Sequence, residues 1–147
     1  MKVHDLSKNT RYSEIKDACE AAITDGKSCV LKAVPKDGGK PEYVIFPYKE
    51  WRKFDTYTFK DDGYKYSMQL TLEEIGTVKA AERFETEELA IERYVALGDI
   101  FNWIYKDDNS GEYLIDPKNT DTLPNAGYKP LPDTREKAIE EYYDRNK

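Results

Sequence analysis

An α+β fold, with an antiparallel sheet built from hairpins and packed by two or three helices, follows from three features of the sequence. Apolar residues recur at helical spacing around Ile15 to Ile23 and Leu89 to Leu97. β-branched and aromatic runs flank glycine-bearing turns at residues 36–41, 61–63 and 107–111. At 147 residues the chain has the length of one domain, able to withdraw roughly 70% of its unfolded surface from water without disulfides or metal.

The elements read in order as follows. Val3 to Leu6 is a short first strand. From Ser13 a helix carries Ile15, Ala18, Cys19, Ala22 and Ile23 on one stripe, and Gly26 is placed to end it. Ser28 to Val34 and Tyr43 to Phe46 form a hairpin around Lys36-Asp37-Gly38-Gly39-Lys40-Pro41. Pro47 ends that strand, and Tyr48 to Phe54 makes one or two helical turns. Tyr57-Thr58-Phe59 and Tyr64 to Leu70, joined by Asp61-Asp62-Gly63, predict a second hairpin and hence a β-meander. Thr71 to Phe84 fits helix and strand equally: Thr71-Leu72-Glu73-Glu74 has the form of a capping box, while Gly76-Thr77-Val78 is a poor helix interior.

Glu85 to Gly98 is helical, capped by Thr86, with Leu89, Ala90, Tyr94 and Leu97 expected on the buried face. Phe101 to Tyr105 and Glu112 to Ile115 flank Asp107-Asp108-Asn109-Ser110-Gly111 as a longer hairpin. Asp116 to Pro132, with four prolines, reads as an ordered arm or a linker. Asp133 and Glu136 have the spacing of a capping box for a last helix whose stripe is Ala138, Ile139, Tyr142 and Tyr143. Residues 1–132 are thus expected as the α+β domain and 133–147 as a docking helix, on its own domain or on a partner. Removal of Leu131 to Lys147 is expected to weaken partner capture and to leave the thermal unfolding transition largely intact.

Composition excludes several classes. No run of about 18 apolar residues is present and residues 1–10 hold no apolar leader core, so a cytoplasmic protein with no membrane association is expected. Two cysteines, Cys19 and Cys29, without C-x-x-C spacing, read as reduced core residues. Residues 1–60 hold twelve Lys+Arg against nine Asp+Glu, and residues 61–147 eleven against twenty. Duplex binding by the whole chain is disfavoured, since phosphate affinity comes from concentrated Lys and Arg; a basic partner suits the second half.

Catalytic inventory is thin. The single histidine, His4, is near an end expected to be mobile. No serine or cysteine stands in a nucleophile motif, and Gly38-Gly39 and Gly63 stand in turns and not between a strand and a helix as a phosphate loop requires. Residues 106–117 miss the calcium-loop pattern, with Lys106 at the first ligand position and Pro117 at the closing glutamate. Leu70 to Gly76 is similar to the opening of a sigma-factor helix-turn-helix, but Glu82, Glu85, Glu87 and Glu88 stand where a basic recognition helix would be needed. A non-enzymatic chain with no cofactor and no metal ligands is therefore expected.

Tyrosine is the informative residue type. Twelve tyrosines exceed what one core of this size needs, and tyrosine offers large contact area at small entropic cost. Partner-binding candidates are Tyr105, Tyr113, Tyr128, Tyr142 and Tyr143, with Glu87, Glu88 and Asp108 as rim charges. Lys49, Trp51, Arg52 and Lys53 form one basic aromatic cluster suited to nucleic acid in an alternative reading.

Residues 11–55 resemble the amino-terminal module of Phd/YefM-type antitoxins: a helix like Ser13-Glu14-Ile15 to Ala22, a strand like Val30 to Val34, a glycine turn, a strand like Tyr43 to Phe46, and a short helix like Tyr48 to Phe54. The resemblance implies a homodimer, DNA contact by the basic amino-terminal part and toxin neutralisation by the acidic remainder. The reading favoured by the residues themselves is a small binding or inhibitory protein, of the kind phages and mobile elements encode, acting through a tyrosine-rich acidic surface on a protein partner with a basic surface.

Overall fold

The computed structural model describes residues 3–47, 58–116 and 121–147. Among the described residues it has five helices and nine strands, and the α+β class with antiparallel sheets is as the sequence predicts. The chain divides into two compact units, Met1–Lys79 and Ala80–Lys147, so residues 133–147 belong to the second. The turns expected at Tyr48 to Phe54 lie outside the described residues, as do Lys49, Trp51, Arg52 and Lys53.

In the first unit, β1 (Val3–His4) runs parallel to β4 (Thr58–Phe59), while β2 (Ser28–Pro35) lies between β3 (Glu42–Pro47) and β5 (Tyr64–Leu70), antiparallel to both. The β2–β3 hairpin is as expected. The second hairpin is not: β4 pairs with β1, and β5 joins the free edge of β2, so the meander is replaced by the order β3-β2-β5. The reason is burial. Ser28, Cys29, Val30, Leu31 and Ala33 are all withdrawn from water, and a strand so apolar needs ladder partners on both edges to satisfy its peptide groups. Contacts at the turn fix the choice, with the Lys36 amide donating to the Gly63 carbonyl at 2.9 Å. Gly63 sits at φ 88°, a conformation that a side chain would strain.

One face of this sheet gathers Cys29, Leu31, Val44, Phe46, Tyr66 and Met68 with Leu6 and Phe59 into a core. His4 is buried there, edge-on to Phe46 at 5.3 Å, and its carbonyl accepts from the Lys60 amide at 2.8 Å. The expected mobile end is thus anchored by pairing to β4. Helix α1 (Ile15–Asp25) packs on β2 and β3 with Ala18, Cys19 and Ala22 buried, and stops at Gly26, φ 75°. Both cysteines are free and buried, and burial pushes the Cys29 thiol up to about 11.

The ambiguous segment resolves into both alternatives in succession: α2 (Leu72–Ala80), then β6 (Glu82–Phe84). The capping box forms, with Glu74 donating its amide to Thr71 Oγ1 at 3.2 Å and accepting the Thr71 amide at 3.1 Å.

The second unit is a four-stranded antiparallel sheet in the order β6-β8-β7-β9, where β7 is Trp103–Lys106, β8 Tyr113–Asp116 and β9 Lys129–Pro130. The β7–β8 hairpin is as expected, its loop fixed by Asp107, which accepts the Asn109 amide and whose carbonyl accepts the Gly111 amide. Helices α3 (Glu87–Leu97) and α5 (Pro132–Arg145) lie side by side on one face, where Ala90, Tyr94 and Ala138 meet Ile104 and Ile115. Register puts Phe84, Tyr113, Ile104 and Ile115 on that face and Arg83, Leu114 and Tyr105 on the other. Of the proline-rich segment, residues 117–120 lie outside the described residues; residues 121–130 form α4 (Thr122–Asn125) and β9, and bury Leu123, Ala126 and Tyr128.

Two local expectations are corrected. Thr86 caps α3, accepting the Leu89 amide at 3.2 Å, but the buried stripe is Ala90, Tyr94 and Val95, with Leu89 and Leu97 outward. Leu89 is one residue, about 100°, away from Ala90, and the sheet selects the arc that holds Tyr94. Asp133 does not cap α5. The Leu131 amide bonds the Ile104 carbonyl at 2.9 Å, so the chain leaves the sheet and enters the helix directly at Pro132, whose fixed φ suits the first helical position. The last helix therefore docks on its own unit.

Candidate functional site

The tyrosines among the described residues separate by environment once the sheets form. Tyr105 and Tyr128, read from sequence as partner contacts, are buried. Tyr105 points to the sheet face opposite α3 and α5, and burial, with Asp116 and Asp121 nearby, pushes its hydroxyl up to about 12. Tyr128 accepts from Arg83 Nη2 at 3.3 Å. Neither is presented to a partner, since both side chains are withdrawn from water within the second unit. Tyr113 is half-buried with the Lys106 ammonium 5.5 Å from its ring centre. Tyr142 is half-buried and meets Tyr143 edge-on at 5.5 Å, leaving Tyr143 54% exposed.

The acidic candidates also divide. Glu87 is engaged, accepting from Lys137 Nζ at 3.1 Å, which ties the first turn of α3 to the middle of α5. Glu88 is exposed on the outward side of α3, and Asp108 is exposed in the β7–β8 loop. The structure thus brings Glu88 and Tyr143 onto the two-helix layer and leaves Asp108 in the loop.

Sequence reasoning named Tyr143 but missed the other exposed apolar residues. Among the described residues, five large hydrophobic side chains are exposed, and four belong to the second unit: Leu89, Leu97, Phe101 at 68% and Tyr143. Phe101 had looked like the start of a strand, but it precedes β7, its amide turned back to Asp99 Oδ1 at 3.0 Å. Three groups hold this corner. The Tyr94 hydroxyl donates to the Ile100 carbonyl at 2.5 Å, and Arg135 donates to the same carbonyl at 2.9 Å and to that of Asn102 at 3.0 Å. The Arg135 guanidinium lies 4.4 Å above the Trp103 ring. Phe101 is therefore displayed by a fixed backbone.

The first unit holds a charged cluster of another kind. Arg11 Nη2 donates to the Leu6 carbonyl at 3.2 Å, to Asp62 Oδ2 at 3.1 Å and to the Tyr66 hydroxyl at 2.5 Å, while Tyr66 donates to the same carboxylate oxygen at 2.5 Å. The guanidinium carbon lies 4.3 Å from the Tyr64 ring centre. Burial and the Asp62 hydrogen bond push the Tyr66 hydroxyl up to about 12. The arrangement is a clasp between the segment before α1 and the turn before β5, made entirely through Arg11 Nη2, while the buried Nη1 has no hydrogen-bond partner among the described residues.

Among the described residues, no group of three or more His, Cys, Asp or Glu side chains is placed to hold a metal ion, and no helix is long and apolar enough to cross a membrane. Comparison with known proteins gives no relative: no protein-family model, no curated protein and no solved structure matches the chain.

Proposed function

We propose that the chain is a small binding or inhibitory protein of the kind phages encode, acting in the cytoplasm on a protein partner through its second unit and not by catalysis. The observation that carries this reading is the uneven surface. The second unit holds nine Lys+Arg against sixteen Asp+Glu, the first fourteen against thirteen, and the second also displays four of the five exposed large hydrophobic side chains described. Apolar groups set among charges of one sign favour a partner of opposite charge, with the apolar anchors supplying affinity and the charges the rate and selectivity.

Affinity capture with the full chain as bait tests it, beside Tyr143→Ser as control. One protein retained by the wild type, lost with the variant and rebound in purified form with a negative heat-capacity change supports the reading. A pure chain that turns over a substrate, or that shifts promoter-sized DNA at moderate salt and loses the shift on charge reversal of Lys49, Arg52 and Lys53, would sink it. The second result is the one an antitoxin-like regulator predicts.

A further inference from the structure

Resting on that reading, we infer that the docking surface is the outward face of the α3–α5 pair and that its occupant is a cationic amphipathic helix. Both helices cover the same sheet face, and their opposite sides present Glu88, Leu89 and Glu92 from α3 and Glu136, Glu140 and Tyr143 from α5, all exposed.

Charge accounting sets the sign of the occupant. Each Lys and Arg on these helices is already engaged: Arg93 with Glu82, Lys137 with Glu87, Arg145 with Glu141, and Arg135 with the carbonyls of Ile100 and Asn102. Lys147, just beyond, pairs with Asp144. Among the described residues no cation pairs with Glu88, Glu92, Glu136 or Glu140. An uncharged apolar partner would strip water from these carboxylates without replacing it. A second copy would set a net charge of −7 against −7, and nucleic acid is repelled in the same way.

Shape and spacing set the rest. Helices α3 and α5 packed side by side present two neighbouring outward rows, a surface on which the face of an amphipathic helix can lie. Glu88 and Glu92, and Glu136 and Glu140, are each four residues apart, about 5–6 Å along the helix, the interval at which a third helix repeats its own side chains. Leu89, 48% exposed, and Tyr143, 54% exposed, are apolar side chains on the same two helices. The occupant thus carries Lys or Arg at helical spacing beside Leu-type residues.

Fluorescence anisotropy tests this with the full chain and three labelled 18-residue peptides: one placing Lys and Leu at helical period, one with the same residues scrambled, and one with Glu in place of Lys. The first is expected to bind, the scrambled peptide about tenfold more weakly, and the Glu peptide not at all. Glu92→Lys/Glu140→Lys and Tyr143→Ser are each expected to weaken the first peptide about tenfold with the thermal transition unchanged. Equal affinity for the scrambled peptide, indifference to the double reversal, or sedimentation as a dimer that the reversal dissociates would overturn the inference. A partner captured equally by wild type and double reversal leaves the binding reading standing and removes this face. Face-dependent peptide binding with no capturable partner does the opposite.

Discussion

In each unit an arginine set over an aromatic ring pins a loop, and Arg11 and Arg135 are not equivalent; the second unit also holds Arg83, over Tyr128 and paired with the buried Asp107. Arg11, above Tyr64, faces a carboxylate that is almost wholly buried, Asp62. Arg135, above Trp103, faces only the backbone carbonyls of Ile100 and Asn102. In the first unit the charge is neutralised internally and the surroundings close over it. In the second Arg135 is spent on backbone, Glu88, Glu92, Glu136 and Glu140 of the neighbouring helices are left to solvent, and Phe101 is held outward beside it. The contrast teaches where interaction capacity resides: charge neutralised inside a unit stabilises it, and charge left unneutralised at a fixed surface is available to a partner.

The largest way to break the comparison is to delete Leu131–Lys147. Ala138 sits in the core of the second unit and Arg135 holds the segment before β7, so the truncation is expected to abolish hydrogen-exchange protection of the β7 and β8 amides while β2 amides keep theirs. This reverses what is expected of a helix that docks on a partner. Retained protection in β7 and β8 would show that α5 is not core.

Next in size, Arg11→Met strands Asp62 and is expected to cost about 3–5 kcal/mol, the penalty for leaving a buried charge unpaired. Arg135→Met leaves part-buried carbonyls that water can reach and is expected to cost about 1–3 kcal/mol. Urea unfolding of the two variants checks the order, and equal losses would mean that Asp62 is better solvated than its burial indicates.

The smallest effect sharpens the comparison with pH. Tyr66 and Tyr105, one in each unit, have hydroxyls raised to about 12 from an ordinary 10.0. A group whose proton is held more tightly in the folded state contributes stability that is whole below the unfolded value, so both units are expected to lose stability as the pH rises from about 10 to about 12. Tyr66→Phe and Tyr105→Phe should each flatten that slope for one unit alone, read from hydrogen exchange or site-specific fluorescence. A slope unchanged by both substitutions would assign the alkaline loss to other groups.

Local chemistry in the sequence determined α1 and its stop at Gly26, the capping box at Thr71 and Glu74, the Thr86 cap, and the β2–β3 and β7–β8 hairpins. Each of these rests on residues a few positions apart, whose dihedral preferences and hydrogen bonds are settled before distant segments meet. Tertiary structure alone decided that β5 joins β2 and not β4, that His4 is anchored, that Tyr105 and Tyr128 are buried while Tyr143 is not, and that Leu89 and Phe101 face outward. Those outcomes depend on which edge or face a distant segment covers. A side chain's type fixes what it can contribute when buried or exposed, but only the packing of elements far apart in the chain decides which of the two it will be.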